Sequence, residues 1–220
     1  MNPRLVSALA SGCAVALTVG LSACGVAPSE EADNPGGVII RGAEPSGPYL
    51  GTNLDHPYEK PDVVLTDTSG EPFDFAADTT APVTLVFFGY TSCPDVCPAE
   101  LADVASALRR VGDDVRADVE VVFVTTDPAR DTPEVMRDYL ERFGFPAYEG
   151  LTGPMLTIER AGTALGVAIM DGKKLPSGGY EVAHGAQVIG FGPDGTAPVF
   201  WNDAPVVDMA RDITTLAGAA

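Results

Sequence analysis

Apolar residues along this chain fall into two patterns, continuous runs and spaced stripes, and the difference separates strands from helices. Val83 to Phe88 (VTLVFF) is a continuous run, β-branched and aromatic, and Val119 to Val124 (VEVVFV) is a second of the same kind, broken only by Glu120. Runs of that length and kind predict strands buried on both faces. Elsewhere the apolar positions are spaced. Leu101, Val104, Leu108 and Val111 fall on one stripe of a helix predicted to begin at Pro98, a favoured first-turn residue. Thr132-Pro133-Glu134 offers a cap, a first-turn proline and an acid at the positive end of a second helix. Val135, Met136, Tyr139, Leu140 and Phe143 would form its apolar face, and Gly144 its stop. Further helices are predicted over Leu156–Leu165 and Val206–Leu216. Val188–Phe191 and Pro198–Trp201 flank Pro193-Asp194-Gly195 as the arms of a hairpin, and Asp62–Thr66 reads as a short strand entering the turn Asp67–Gly70. Strand, helix, strand, helix, hairpin, helix is the order of an α/β domain, a central mixed β-sheet flanked by helices on both faces.

The N-terminus follows another rule. Leu5 to Ala23 carry no charge, follow the basic Arg4, and end in Leu21-Ser22-Ala23-Cys24. A short apolar stretch with small residues before a break reads as an export signal, and one ending directly in cysteine resembles a bacterial lipoprotein signal. An uncleaved membrane span is the alternative, although Ser7, Ser11, Gly12 and Ser22 make it a mediocre one. Either way the rest of the chain is expected outside the cytoplasm, anchored at the membrane. The expected organisation is a signal peptide over residues 1–23, a lipidated tether over 24–46 that is rich in Pro, Gly, Ser and Glu, and one domain over 47–220. Cys24 is the expected lipidation site, and Cys13 has no site role.

Charge removes whole classes of partner. At −18, the chain lacks the basic face that nucleic acid requires, and equally lacks an electrostatic hold on anionic lipid. Chemistry must then come from few residues, because the chain has four cysteines and two histidines. Cys93 and Cys97 stand four apart in Ser92-Cys93-Pro94-Asp95-Val96-Cys97-Pro98, at the junction of a strand and a helix. A helical first turn there would put both sulfurs on one face, where unpaired N–H groups favour thiolates. Three readings stay open for this pair: a structural disulfide, a redox-active dithiol, and a soft-metal site. If metal, two thiolates suit Cu(I), and one imidazole would complete a trigonal set. Structural zinc asks for four ligands and would need both histidines, yet His56, in Asp55-His56-Pro57-Tyr58, has no ligand spacing. His184 precedes the hairpin strand. A lone histidine is more often a surface residue than a ligand, but loops at one end of such a sheet converge beside the helix that carries the cysteines.

Longer motifs go further. Phe87–Pro98 (FFGYTSCPDVCP), Val124–Phe143 (VTTDPARDTPEVMRDYLERF), Gly150–Gly153 (GLTG), Tyr180–Gly195 (YEVAHGAQVIGFGPDG) and Asp62–Gly70 (DVVLTDTSG) stand in the order, and have the content, that resembles the SCO/SenC family. The resemblance covers about Pro61 to Gly195. It implies a thioredoxin-like fold and a copper chaperone for cytochrome c oxidase assembly, with Cys93, Cys97 and His184 as metal ligands. Asp127 matches an acidic position near the family's site, although capping its own loop before Pro128 is an equally local use for it. The cargo implied is copper as Cu(I), with Cu(II) as a second state. The partners implied are the copper-binding subunit of the oxidase, a copper donor, and a thiol-disulfide reductase that keeps the pair reduced. Two other functions fit the same residues: a thiol-disulfide oxidoreductase acting on the oxidase subunit's cysteines, and a copper or redox sensor.

Overall fold

A computed structural model describes residues 47–144, 148–169, 173–174, 180–181 and 185–218. The first part of the chain gives β1 (Thr52–Glu59), β2 (Val64–Thr66), β3 (Pro72–Asp74), α1 (Phe75–Asp78), β4 (Val83–Gly89) and α2 (Val96–Leu108). The middle gives α3 (Asp113–Ala117), β5 (Val119–Thr125), α4 (Pro133–Leu140) with a 3-10 turn (Glu141–Phe143), β6 (Tyr148–Leu151) and α5 (Met155–Ala164). Two short strands, β7 (Lys173–Lys174) and β8 (Tyr180–Glu181), precede β9 (Val188–Phe191), β10 (Thr196–Trp201) and α6 (Val206–Gly218).

The two apolar runs lie side by side in the middle of a six-stranded sheet of order β1-β10-β9-β4-β5-β6. β4, β5 and β6 are parallel, whereas β9, β10 and β1 add in antiparallel fashion beyond β4. Although each run is apolar at all but one position, where Thr84 donates to Glu120 at 2.7 Å, its side chains alternate between two cores. Leu85, Phe87, Val121 and Phe123 pack under α2, α4 and α6 with Leu101, Leu108, Met136, Tyr139 and Ile213. Val86, Phe88, Val122 and Val124 pack on the other face with Phe75, Ile158 and Leu165. A sheet covered on both sides explains why these strands have no polar face.

The expected helix stripes lie inward. Leu101, Val104 and Leu108 are wholly buried, Thr132 caps α4 as the sequence predicts, and Gly144 ends the following turn in the left-handed region at φ 67°. Three details differ. α2 begins at Val96, before Pro98, because the Asp95 side chain accepts the Val96 N–H at 2.7 Å and caps the helix there. Val135 points outward from α4 at 42% exposure, because the inward face is completed by Met136, Tyr139 and Leu140. The stretch containing His56, for which the sequence predicts no element, is the edge strand β1, held in place by pairing with β10. Among the described residues no helix is long and apolar enough to cross a membrane.

Candidate metal and thiol site

β4 and β5 end together at one edge of the sheet, where Gly89 is in register with Thr125. The chain leaving β4 turns through Tyr90–Asp95 into α2, and the chain leaving β5 loops through Thr126–Thr132 into α4. These two loops are laced together. Thr126 N–H donates to the Gly89 carbonyl at 2.7 Å. Asp131, wholly buried, accepts from the Thr91 N–H at 3.0 Å and from the hydroxyls of Thr91 and Thr125, each at 2.6 Å. A buried carboxylate is tolerated only when its lone pairs are filled in this way. The cysteine turn is thereby fixed to the neighbouring strand.

Cys97 lies on the first turn of α2 and Cys93 in the turn that enters it, close to one another as the sequence predicts, and both are thiols. Cys93 is half-buried, whereas Cys97 is wholly buried in the helical core. Donors converge on the Cys93 sulfur. The Cys97 N–H, one of the N–H groups that a helix start leaves unpaired, reaches it at 3.3 Å. The Tyr90 phenol and the Cys97 thiol also hydrogen-bond to it. Burial and then the Cys93 sulfur push the Tyr90 phenol up to about 12. Burial also pushes the Cys97 thiol well up, reinforced by its hydrogen bond to Cys93 and by the charge of Asp131, while the Tyr90 backbone N–H acts against it. One sulfur is thus accessible and surrounded by donors, and the other is sequestered behind it.

Gly89 makes the close packing possible. A Cβ there would meet the Phe87 ring at 2.8 Å, the Phe123 ring at 2.9 Å and the Cys97 sulfur at 3.1 Å. Asp127 takes the local role. Its carboxylate forms an ion pair with Arg130, and its carbonyl accepts the N–H groups of Arg130 and Asp131, each at 3.0 Å. It shapes the loop that carries Asp131. His184, the third expected ligand, and Cys24, the expected lipidation site, lie outside the described residues. Among the described residues no cluster of three or more His, Cys, Asp and Glu side chains forms a metal site.

Sequence reading passes over Tyr90, Thr91, Asp131 and Gly89. The pattern that could have flagged Asp131 is the second acid of Asp127-Pro128-Ala129-Arg130-Asp131-Thr132, directly before a helix cap. The partner it needs, Thr91, comes from the cysteine turn, and that pairing is visible only in three dimensions.

The sequence model of the SCO1/SenC family matches residues 52–218. Protein sco1 of Schizosaccharomyces pombe is 34% identical over 139 residues, 62% of this chain and 52% of that protein. The chain spans less than two thirds of the length of the curated relatives it matches. Among solved structures, copper-bound ScoI of Bradyrhizobium japonicum is similar with a TM-score of 0.62 at 32% identity, covering 74% of this chain and 98% of that one. Apo Sco1 of Thermus thermophilus gives a TM-score of 0.66 at 29% identity, covering 78% and 97%. The mixed sheet between two helical layers is the thioredoxin-like arrangement that these structures share.

Proposed function

This chain belongs to the SCO1/SenC family, and from that premise we propose that it is a copper-carrying protein of cytochrome c oxidase assembly. It holds copper through Cys93, Cys97 and His184 and passes it by ligand exchange to the dinuclear copper centre of a haem–copper oxidase. The chain is exported, cleaved before Cys24 and tethered by lipid on that residue, with residues 47–220 working outside the cytoplasm near the membrane. The observation that carries the copper role is the arrangement of the two sulfurs at the start of α2, one accessible in the turn before the helix and one buried on its first turn. Two thiolates at that spacing satisfy the preference of Cu(I) for soft ligands, and an imidazole completes three-coordination. The accessible sulfur offers a partner's ligand somewhere to begin the exchange.

The test is copper loading of the reduced protein. One Cu(I) per chain is expected, with tight binding abolished in Cys93→Ala and in Cys97→Ala, and with transfer to the copper domain of an oxidase subunit. Unchanged affinity in either single variant would move the site elsewhere.

A second reading draws on the same asymmetry. An accessible sulfur surrounded by donors, backed by a buried thiol, also suits an attacking and a resolving cysteine. In that reading the protein reduces the oxidase subunit's own cysteines.

A further inference from the structure

The cysteine turn is fastened by a more demanding device than fold stability asks for. Asp131 is wholly buried and its carboxylate accepts three hydrogen bonds. Two of them come from Thr91, whose N–H reaches one oxygen at 3.0 Å and whose hydroxyl reaches the other at 2.6 Å. The third comes from the Thr125 hydroxyl at 2.6 Å, at the end of β5. Taking a carboxylate out of water to make such bonds is a weak source of stability, since apolar side chains of like volume often serve as well or better. What the carboxylate supplies is position. Both of its oxygens grip a single residue of the turn, and the grip is anchored on the neighbouring strand.

The residue it grips stands two before Cys93. The chain turns between them, with the Cys93 N–H donating to the Tyr90 carbonyl at 3.1 Å. The two cysteines need this hold unequally. Cys97 lies within α2 and is wholly buried, so the helix and its core keep it in place. Cys93 precedes the helix, is half-buried, and is met from the helix side by the Cys97 N–H at 3.3 Å. On the side of β4 the turn is held through Thr91. Two donors bind one ion tightly when both are in place beforehand, because any freedom left to one of them is lost on binding and counts against affinity. Thr91 therefore bears on the pair through the half that the helix does not fix.

We propose that Thr91 and Asp131 are positioning residues for the dithiol: the buried carboxylate holds the cysteine turn so that the Cys93 sulfur stands beside Cys97 before copper arrives. They act through Cys93, and their effect is read in affinity more than in stability. This rests on the copper role proposed above.

Two substitutions separate position from stability, because each removes one 2.6 Å hydroxyl bond to the same carboxylate. Thr91→Val removes it on the cysteine turn. Thr125→Val removes it on the strand, and with it the bond that the Asp127 N–H makes to the Thr125 hydroxyl at 2.9 Å. Were the carboxylate only a structural clamp, Thr125→Val would be the more harmful in every respect. The reduced full chain in detergent is compared as wild type, as each valine variant, and as Thr91→Ser, which keeps the hydroxyl. Three readouts are taken: the urea midpoint of the metal-free protein, its amide exchange at Cys93 by nuclear magnetic resonance, and Cu(I) affinity by competition with a chelator. The lowest midpoint is expected in Thr125→Val. The fastest Cys93 exchange and the weakest Cu(I) binding are expected in Thr91→Val, with affinity lower than wild type by about tenfold, the worth of one hydrogen bond to a charged group. Thr91→Ser should bind within about twofold of wild type. A Thr91→Val affinity within about twofold of wild type, or an equal or larger loss in Thr125→Val, would overturn the inference while leaving the copper role standing. So would Thr91→Ser binding as weakly as Thr91→Val, or Cys93 exchange unchanged in Thr91→Val. Failure of wild type itself to take up Cu(I) would overturn the copper role, and this inference with it.

Discussion

Glu100 lies one turn of α2 beyond Cys97, half-buried, and accepts the N–H of Asp203, a non-glycine residue held at φ 53°. Burial first, then the charges of Asp103 and Asp203, push its carboxyl from 4.5 up to about 7. The sign of the consequence follows. Between about pH 4.5 and 7 the folded chain keeps a proton that the unfolded chain has lost, so stability falls as pH rises through that window and levels off above it. Because the group is partly exposed, solvent screening brings the effect down to the order of 1 kcal/mol. Glu100→Gln should remove most of this slope, as read from urea midpoints taken at intervals across the window; an unchanged slope would assign it to other groups. The residue scale also marks where sequence reading succeeds and fails. Cys93 and Cys97 declare themselves because their spacing is chemical and local. Asp131 does not, because its meaning lies in Thr91 and Thr125, which reach it from two other segments. Asp127 drew notice by its motif, and its carboxylate closes its own loop with Arg130.

At the scale of elements, the apolar runs and stripes were sufficient wherever burial alone decides the structure. β4, β5, α4, α5, α6 and both hairpin arms lie close to their expected bounds. β1 escaped because nothing local makes it a strand: its sequence is polar and contains a proline, and its pattern is mostly exposed. Tertiary contacts build it. The wholly buried Asp212 of α6 accepts the Leu50 N–H at 2.8 and 3.0 Å, the Gly51 N–H at 2.8 Å and the Trp201 indole N–H at 2.9 Å. One carboxylate therefore clamps the start of β1 to α6 and β10. Asp212→Ala would strand these donors and should cost about 3 kcal/mol, with Asp212→Asn milder because the amide oxygen still accepts. The denaturant midpoint measures this. A loss below about 0.5 kcal/mol in the alanine variant, the range of an ordinary surface change, would show that the clamp is idle.

At the scale of the whole molecule, the two proposed functions share one dithiol and part at His184. If imidazole is a ligand, His184→Ala should leave two thiolates that still hold Cu(I), lose or greatly weaken Cu(II), and fail to furnish oxidase copper. If the work is disulfide exchange, which depends on thiolate fraction, leaving group and access, the same variant should change the rate modestly and spare the oxidase. Oxidase copper content in cells carrying His184→Ala at normal protein level, with Cu(II) absorption of the purified chain, separates the two. Strand order carries a further consequence, one of time. β4, which leads into the cysteine turn, is hydrogen-bonded on one side to β5 but on the other to β9, and α6 packs over that same region of the sheet. A chain emerging N-terminus first from a ribosome or an export pore therefore exposes Cys93 and Cys97 well before the partners that close the sheet have been delivered. During that interval neither sulfur is yet in its native surroundings, and both are open to any oxidant they meet. The order in which its strands are made thus gives the nascent chain a window for cysteine oxidation that closes only when its last third arrives.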